Sequence, residues 1–317
     1  MSRPARPGAE APILITMGEP AGIGPEVAVA ACKALGGRIG QRRIRLVGDA
    51  DVFMRAGASD GEALLARAPL PAPVVPGRPD PANAKRVIDA IEFAVDLALK
   101  GVAAAVVTSP INKEALHRSG FAFPGHTEFL GALTGAKRPV MMLASDRLRV
   151  APLTIHMPLA DVPRAITTEA IVDTAEIMLD SLARDFLIAR PRLAVAGLNP
   201  HPGEFGDEDG RVIAPAVAEL KRRGRDARGP LPADTLFHDE ARKTYDAALC
   251  MYHDQALIPI KTLSFWDGVN VTLGLPIVRA SPDHGTALDI AGTGRADPRS
   301  MIAAIEMAGR IADARGR

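Results

Sequence analysis

The chain has 317 residues, 47% hydrophobic and 24% charged, a composition typical of a globular protein and unlike that of a disordered chain or a coiled coil. Its 38 Lys and Arg residues nearly balance 37 Asp and Glu residues, and the net charge of +1 argues against nucleic acid or an anionic membrane as partner. No apolar run approaches the about 18 residues of a membrane span, and we predict residues 1–12 to be a flexible N terminus. We therefore expect a cytoplasmic protein.

Glycine and proline are frequent (29 and 27 residues), whereas aromatic residues are few: 9 Phe, 2 Tyr and 1 Trp. Such a chain has an aliphatic core and many turns, or glycine-rich loops with a function. The two cysteines, Cys32 and Cys250, lie in apolar segments and offer no disulfide framework, so we expect both to be buried thiols.

Short aliphatic runs alternate with segments of helical periodicity, and this alternation predicts an α/β fold with a parallel sheet. The predicted strands are 13–17, 44–47, 103–108, 140–143, 149–155, 193–196, 247–251 and 269–273. The predicted helices are 25–35, 82–100, 168–183 (with a threonine cap at its start), 211–222 and 298–314. Residues 66–81 are rich in proline and are expected to form a surface loop.

Dense clusters of Gly, Pro, His or Asn follow the ends of five predicted strands. They begin near residues 18, 109, 156, 197 and 252. In open parallel sheets, ligands bind outside the carboxyl ends of the strands, so these clusters are expected to face one cleft.

Two of the segments are rich in glycine. Residues 18–26 (GEPAGIGPE) join a strand to a helix and are either an anion-binding turn or only a tight connection. Residues 281–294 combine His, Asp and Thr in a long unpatterned loop, which is suited to wrapping a nucleotide.

The histidines fall into two groups. His117 and His238 read as surface residues, whereas five others lie in or beside the clusters: His126, His156, His201, His253 and His284. Imidazoles from three separate strand ends would suit a catalytic Zn²⁺ or similar ion, but their spacing contains no local chelate, and structural roles remain the alternative.

Three polar residues lie at intervals of nine residues in and beside a predicted strand: Lys261, Asn270 and Arg279. His126 and Thr127 form a further polar pair. Together they offer donors that hold phosphate or carboxylate, although each alone is commonly a surface residue.

Seven motifs in this order resemble the 4-hydroxythreonine-4-phosphate dehydrogenase family of the pyridoxal phosphate pathway: GEPAGIGPE, TSPINKEA, PGHTEFL, GLNPHPGE, MYHDQALIPIK, VNVTLGLPIVR and SPDHGTALDIAGTG. The last is also similar to the adenosine-binding loop of isocitrate and isopropylmalate dehydrogenases. The resemblance implies their two-lobed, non-Rossmann α/β/α fold with the active site in an interdomain cleft. We expect a first lobe of residues 13–135 and 281–317 with the NAD loop, and a second of 136–280 with the metal ligands and dimer interface.

The resemblance also implies roles for individual residues. His156, His201 and His253 would ligate a divalent metal (Zn, Mg or Co) in a site shared across a homodimer, one chain supplying two ligands and its partner the third. The substrate would be bound by His126, Thr127, Lys261, Asn270 and Arg279. NAD or NADP would be bound by Asp283, His284, Gly285, Ala287, Asp289 and Gly292. Departures from the family pattern, Ala256 and Ser109 where many relatives have Gly (or, for Ser109, Ala), remove no implied ligand.

The implied reaction is NAD-dependent oxidation of 4-phosphohydroxy-L-threonine to 2-amino-3-oxo-4-(phosphooxy)butanoate, which decarboxylates to 3-amino-2-oxopropyl phosphate. Lys261 and Asp254 are the candidates for the base. Three alternatives stay open: a related dehydrogenase for threonate or erythronate phosphate or an aromatic cis-diol, an acyltransferase of similar fold, and a non-catalytic nucleotide-binding protein.

Overall fold

A computed structural model describes residues 6–59, 64–66 and 69–316. The chain divides into two compact units. The first comprises Met1–Pro139 and Leu275–Arg317, and the second comprises Val140–Gly274. Each unit contains strands and helices, so the α/β fold class is confirmed.

The first unit has these strands: β1 (Ile13–Thr16), β2 (Arg38–Ile39), β3 (Arg42–Gly48), β4 (Leu64–Ala66), β5 (Ala105–Thr108) and β12 (Arg279–Pro282). Its helices are α1 (Gly24–Ala34), α2 (Ala50–Arg55), α3 (Ala84–Leu99), α4 (Lys113–Arg118), α5 (His126–Thr134) and α12 (Arg299–Gly316).

The first unit's strands lie in the order β2-β3-β1-β5-β12, and β4 pairs with β3. Only the short β2 is antiparallel to its neighbour. Every residue of β1, β5 and β12 is buried, as expected for parallel strands covered by helices on both faces. The carboxyl ends of β1 and β5 lead into two of the five polar clusters, after Thr16 and Thr108, and β12 leads into the second glycine-rich segment after Pro282.

The second unit has these strands: β6 (Val140–Ala144), β7 (Arg149–Pro152), β8 (Arg192–Ala196), β9 (Asp226–Leu231), β10 (Ala247–Cys250) and β11 (Val269–Leu273). Its helices are α6 (Val162–Ala165), α7 (Thr168–Asp185), α8 (Ala214–Arg222), α9 (Ala233–Leu236), α10 (Asp239–Arg242) and α11 (His253–Leu263). A π-helical turn, Asp209–Ile213, precedes α8.

The second unit's strands lie in the order β11-β6-β7-β10-β8-β9, and here the expected all-parallel sheet is wrong. β6 runs antiparallel to both β11 and β7. Only four residues separate β6 from β7, and a parallel connection would need a dozen or more. The remaining pairs, β7–β10, β10–β8 and β8–β9, are parallel as predicted.

Three smaller expectations need correction. The N-cap of α7 is Thr167, whose side chain accepts from Ala170 N–H, and Thr168 is the first helical residue. The predicted strand 149–155 ends at Pro152, so its last three residues already belong to the connection. Most of the expected loop at 66–81 lies outside helices and strands, but β4 includes Ala66 and a 3₁₀ turn begins at Pro81. Residues 67–68 of this loop lie outside the described residues. The same is true of residues 1–5 of the predicted N terminus.

Both cysteines are buried free thiols, as expected. Among the described residues, the helices include none that is long and apolar enough to cross a membrane.

Candidate active site

Three neighbouring parallel strands of the second unit end in histidine-bearing segments. β10 lies between β7 and β8 and is parallel to both. His156 follows β7, His253 begins the helix after β10, and His201 lies in the loop after β8. The strand order thus brings these segments to one edge of the sheet, although they lie far apart in the sequence.

His156 and His253 approach each other closely, with their ring centroids 6.0 Å apart. Both line a cavity of about 290 Å³, which Thr154, Tyr252 and other neighbours complete. His253 Nδ1 lies 2.7 Å from Asp254 Oδ1. Because an ionised carboxylate only accepts hydrogen bonds, His253 donates through Nδ1 and keeps the lone pair on Nε2 for another partner.

His201 lies in a constrained loop, and its ring lies near a different side chain, in a tilted arrangement. Its φ of +48° is in the left-handed region, and its ring centroid is 6.4 Å from that of Phe205. Within the described part of one chain, no three His, Cys, Asp or Glu side chains converge closely enough to hold a metal ion.

The His201 loop is anchored by the carboxylate of Asp209, which is 0% exposed. It accepts hydrogen bonds from Leu198 N–H at 2.8 Å, Asn199 N–H at 3.2 Å and the Asn199 side-chain amide at 3.0 Å. The loop is therefore fixed from the π-helical turn, several residues further along the chain.

Two of the expected substrate residues also belong to the second unit. Lys261 Nζ lies 5.6 Å from the centre of the Phe265 ring, near the end of α11. Asn270 lies on β11, and its buried Oδ1 has no hydrogen-bond partner among the described residues. A buried amide oxygen of this kind is available to a ligand donor.

The other expected substrate residues lie in the first unit. His126 and Thr127 are the first two residues of α5, where the backbone N–H groups of a helix are unsatisfied and attract anions. Arg279, on β12, is buried and donates to Thr108 Oγ1 at 2.6 Å. Burial lowers the pKa of Arg279 to about 9, so the guanidinium stays charged near neutral pH.

The His126 ring is neutral. Burial, together with the positive charges of Arg279 and Lys113, holds its pKa well below the usual value. Its buried Nε2 has no hydrogen-bond partner among the described residues.

Lys113 was given no role from the sequence, although it ends the cluster after β5. A Cβ built on Gly125 would lie 3.7 Å from Lys113 Nζ, which places this ammonium beside the start of α5. In the sequence, the place of Lys113 in a strand-end cluster is the feature that indicates a functional role. Its neighbour, the start of α5, is known only from the structure.

The loop after β12 carries the expected cofactor residues and is held by the first glycine-rich turn. Ile23 N–H donates to Thr286 O at 3.0 Å, and Gly292 N–H donates to Glu26 Oε1 at 2.6 Å. A Cβ on Gly22 would lie 2.8 Å from Thr286 O, so the two backbones approach too closely for a side chain. The turn at residues 18–26 therefore supports this loop, and anion binding by the turn stays a prediction.

Turn and loop also line a cavity of the first unit, about 440 Å³ in volume. Its wall includes Pro20, Ala21, Gly22, Pro25, Glu26, Arg55, Gly292 and Gly294. In the loop itself, His284 Nδ1 donates to Gly285 O at 2.9 Å, since a carbonyl only accepts. His284 Nε2 is consequently an acceptor, and no described group donates to it.

Comparisons with known proteins place this architecture in a family. The family model described as pyridoxal phosphate biosynthetic protein PdxA matches residues 31–308. The chain belongs to the PdxA family. It is 54% identical to 4-hydroxythreonine-4-phosphate dehydrogenase of Paracoccus denitrificans, over 95% of this chain and 98% of that protein.

Solved structures agree with the PdxA assignment. The crystal structure of 4-hydroxythreonine-4-phosphate dehydrogenase from Klebsiella pneumoniae is 39% identical, with a TM-score of 0.85 over 96% of this chain and all of that one. A terephthalate 1,2-cis-dihydrodiol dehydrogenase from Burkholderia xenovorans is 29% identical, with a TM-score of 0.67 over 95% of this chain and 98% of that one.

Two more distant structures share only the fold. A branched-chain phosphotransacylase from Enterococcus faecalis is 12% identical, with a TM-score of 0.59 over 94% of this chain and 98% of that one. A β-decarboxylating dehydrogenase from Thermococcus kodakarensis is 16% identical, with a TM-score of 0.50 over 94% of this chain and 81% of that one. The prediction that this chain shares the fold of the β-decarboxylating dehydrogenases is thus confirmed.

Proposed function

We propose that this protein is a 4-hydroxythreonine-4-phosphate dehydrogenase of pyridoxal phosphate biosynthesis. It oxidises 4-phosphohydroxy-L-threonine with NAD⁺ or NADP⁺ to 2-amino-3-oxo-4-(phosphooxy)butanoate, and loss of CO₂ then gives 3-amino-2-oxopropyl phosphate. The observation that carries the proposal is the alignment of three histidine segments at the ends of β7, β10 and β8. The name shared by relatives about half identical to this chain supports the same reaction.

The donor set fits a divalent metal. An imidazole nitrogen lies about 2.0–2.1 Å from Zn²⁺, so two rings on one ion have centroids roughly 5–6 Å apart, as His156 and His253 have. Asp254 fixes the His253 tautomer in the way that carboxylates orient metal-binding imidazoles. When bound, a Zn²⁺, Mg²⁺ or Co²⁺ ion would supply a Lewis acid that favours deprotonation of the substrate alcohol and polarises the ketone.

Each unit by itself offers groups suited to an anionic substrate. In the first, His126, Thr127 and Arg279 supply a neutral imidazole, a helix N terminus and a buried guanidinium. In the second, Lys261 supplies an amine that can donate hydrogen bonds and Asn270 an acceptor oxygen. Cations and helix N termini are the groups that hold phosphate and carboxylate.

For the proton of the substrate alcohol we assign the base to Lys261. The other candidate, Asp254, already accepts a hydrogen bond from His253, and this contact favours an orienting role. A base must reach the proton it removes, so Lys261→Met is expected to lower kcat strongly. The conservative replacement Lys261→Arg is expected to change the folding stability little.

The cofactor is assigned to the loop after β12. The residues that would contact the dinucleotide are Asp283, His284, Gly285, Ala287, Asp289 and Gly292. Among them, His284 Nε2 would accept a hydrogen bond from an N–H of the nucleotide's adenine. The neighbouring cavity of about 440 Å³ is of the size used by bound small molecules. NAD supplies the hydride acceptor, and the protein's part is to hold it beside the substrate.

Two histidines approach each other within one chain and the third does not join them, which supports a metal site completed by a second copy. The second unit exposes large apolar side chains: Leu159, which lines the same cavity as His156 and His253, at 65%, Ile258 at 64% and Phe265 at 61%. An exposed apolar surface of this kind is typical of a subunit interface. We therefore assign a homodimer as the active form.

The test is NADH or NADPH formation by the metal-supplemented protein with three substrate types: 4-phosphohydroxy-L-threonine, threonate or erythronate phosphate, and an aromatic cis-diol. We expect rapid turnover of the first. No turnover of it alongside rapid turnover of another would replace the proposal with the related activity.

The cis-diol alternative is favoured by the 29% identical diol dehydrogenase, which covers nearly the whole chain. The cationic and helix-terminal groups suit a phosphorylated acid, but they also suit the carboxylates of a terephthalate diol, so the comparison of substrates decides between the two. For the acyltransferase and nucleotide-binding alternatives, a thermal-shift titration with NAD discriminates: we expect a rise in Tm with NAD concentration.

A further inference from the structure

The side chain of Gln255 ties together the strand ends that carry two of the histidines. Met251 N–H, directly after β10, donates to Gln255 Oε1 at 2.7 Å. Gln255 Nε2 donates to Gly197 O, directly after β8, at 2.8 Å. The Gln255 side chain is buried, so both hydrogen bonds are shielded from water.

This amide continues the sheet beyond its last backbone pair. The β10–β8 pairing ends at Leu249 and Val195, where the chains begin to leave the sheet. A primary amide offers one donor and one acceptor like a peptide group, so Gln255 bridges the two chains where they no longer reach each other directly.

The third strand end is tied to the same residue. Thr154 Oγ1 donates to Met251 O at 2.7 Å, so side chains hold both the N–H and the C=O of Met251. Thr154 lies two residues before His156, Met251 two before His253, and Gly197 four before His201. A single connected set of hydrogen bonds thus joins the three histidine segments.

We propose that Gln255 is a positioning residue that sets the spacing of His201 and His253, with Thr154 fixing the segment of His156 against them. This inference rests on the metal role assigned under the proposed function. Groups that orient metal ligands without touching the ion commonly change metal affinity by about 10–100-fold when they are removed.

The experiment measures Co²⁺ binding to the full-length apoprotein by calorimetry and by the visible absorption of bound Co²⁺. Gln255→Glu keeps the acceptor for Met251 N–H but cannot donate to Gly197 O when ionised, and Gln255→Met loses both bonds at similar length. We expect each variant to bind Co²⁺ about 10–100-fold more weakly, with a changed absorption spectrum.

Tyr245→Phe is the matched control. It removes a buried hydrogen bond of the same unit, from Tyr245 OH to Leu236 O at 2.9 Å, without touching a histidine segment. This control should lose folding stability and bind Co²⁺ like the wild type. If the Gln255 variants do not fold, Thr154→Val and Thr154→Ser provide the second comparison, in which only Val is expected to weaken binding.

The outcomes separate two failures. Wild-type protein that does not bind Co²⁺ contradicts the metal site of the proposed function. Wild type that binds, together with folded Gln255 variants within about twofold of its affinity and with its spectrum, contradicts the positioning role alone.

Discussion

Burial, reinforced by two neighbouring cations, decides the charge of His126, and with it the chemistry that this residue offers. Its imidazole stays neutral because burial and two neighbouring cations disfavour a further positive charge. A neutral ring beside Arg279 accepts or donates a hydrogen bond to a substrate oxygen, whereas a cation there would add repulsion.

The pKa of His126 predicts a pH dependence of stability. The unfolded residue takes up a proton near its ordinary pKa of about 6.5 and the folded one does so only at lower pH, so the unfolded state binds more protons in between. Stability should therefore fall as pH falls below about 6.5. Between pH 8 and pH 5.5, the free energy of unfolding measured with urea should fall less in His126→Gln than in wild type, by up to about 1.4 kcal/mol.

The exposed His117 is the control for that measurement. Its replacement by Gln removes an exposed histidine, so a change that occurs in His126→Gln and not in His117→Gln belongs to the His126 site. Equal pH dependence in His126→Gln and wild type would contradict a neutral buried imidazole.

Thr108 and Ser109 are adjacent, fully buried hydroxyl residues with opposite predicted effects. Thr108 Oγ1 accepts from Arg279, whereas Ser109 Oγ has no described partner. Thr108→Val should lower the free energy of unfolding by about 1.5–3 kcal/mol, because a hydrogen bond to a charged group is lost. Ser109→Ala should leave it unchanged or raise it slightly, because a buried unsatisfied hydroxyl is removed. Chemical denaturation of both variants checks this, and a destabilised Ser109→Ala would show that the hydroxyl is satisfied.

At the level of elements, the π-helical turn Asp209–Ile213 holds a loop that otherwise has little regular structure. Asp209 accepts three hydrogen bonds from Leu198 and Asn199, while its own side chain is fully buried. The His201 loop therefore depends on a residue outside itself.

Replacing Asp209 by Ala should cost about 2–4 kcal/mol and raise hydrogen exchange at the amides of Leu198 and Asn199. Asp207→Ala is the control, since the side chain of Asp207 forms an exposed ion pair with Arg211 and its loss should cost under about 0.5 kcal/mol. Unchanged exchange at Leu198 and Asn199 in Asp209→Ala would remove the anchoring role.

The elements also show how far the sequence predicts the fold. All eight predicted strands form, because each is an apolar run with clear limits. β12 was missed, since its sequence, Arg-Ala-Ser-Pro, lacks an apolar pattern, and it forms because it pairs with β5 in a buried position. Helices of four to six residues, such as α4 and α10, are too short to show a period.

The site was predictable to a similar extent. The histidine segments could be placed at strand ends because their strands are obvious in the sequence. Which segments are neighbours depends on the strand order β7-β10-β8, which does not follow chain order. The roles of Gln255 and Lys113 depend on that order or on the position of α5, so the sequence alone could not assign them.

At the scale of the whole molecule, both units belong to the family fold, since relatives match 95% of the chain and nearly their own full length. A shared metal site in a homodimer makes a specific prediction for mixtures of inactive variants. In a symmetric dimer, a variant that loses a ligand damages the two sites in the same way.

Consider His156→Ala, His201→Ala and His253→Ala, each inactive, mixed in pairs after mild dissociation. If one chain supplies two ligands and its partner the third, two of the three mixtures should regain about one quarter of wild-type activity, because half of the dimers carry one intact site. The third pair should stay inactive, and it identifies the two ligands from one chain. Failure of all three mixtures under conditions that exchange subunits would contradict a shared site.

The close backbone contact between the turn at residues 18–26 and the loop after β12 has a dynamic consequence. Ile23 donates to Thr286 and Gly292 to Glu26, so the loop cannot open without also freeing the turn, although some 260 residues separate them in sequence. The two segments should exchange their amide hydrogens as one cooperative unit. A dinucleotide that touches only the loop would then slow exchange in the turn as well, and the first residues of α1 would report cofactor binding from the opposite end of the chain.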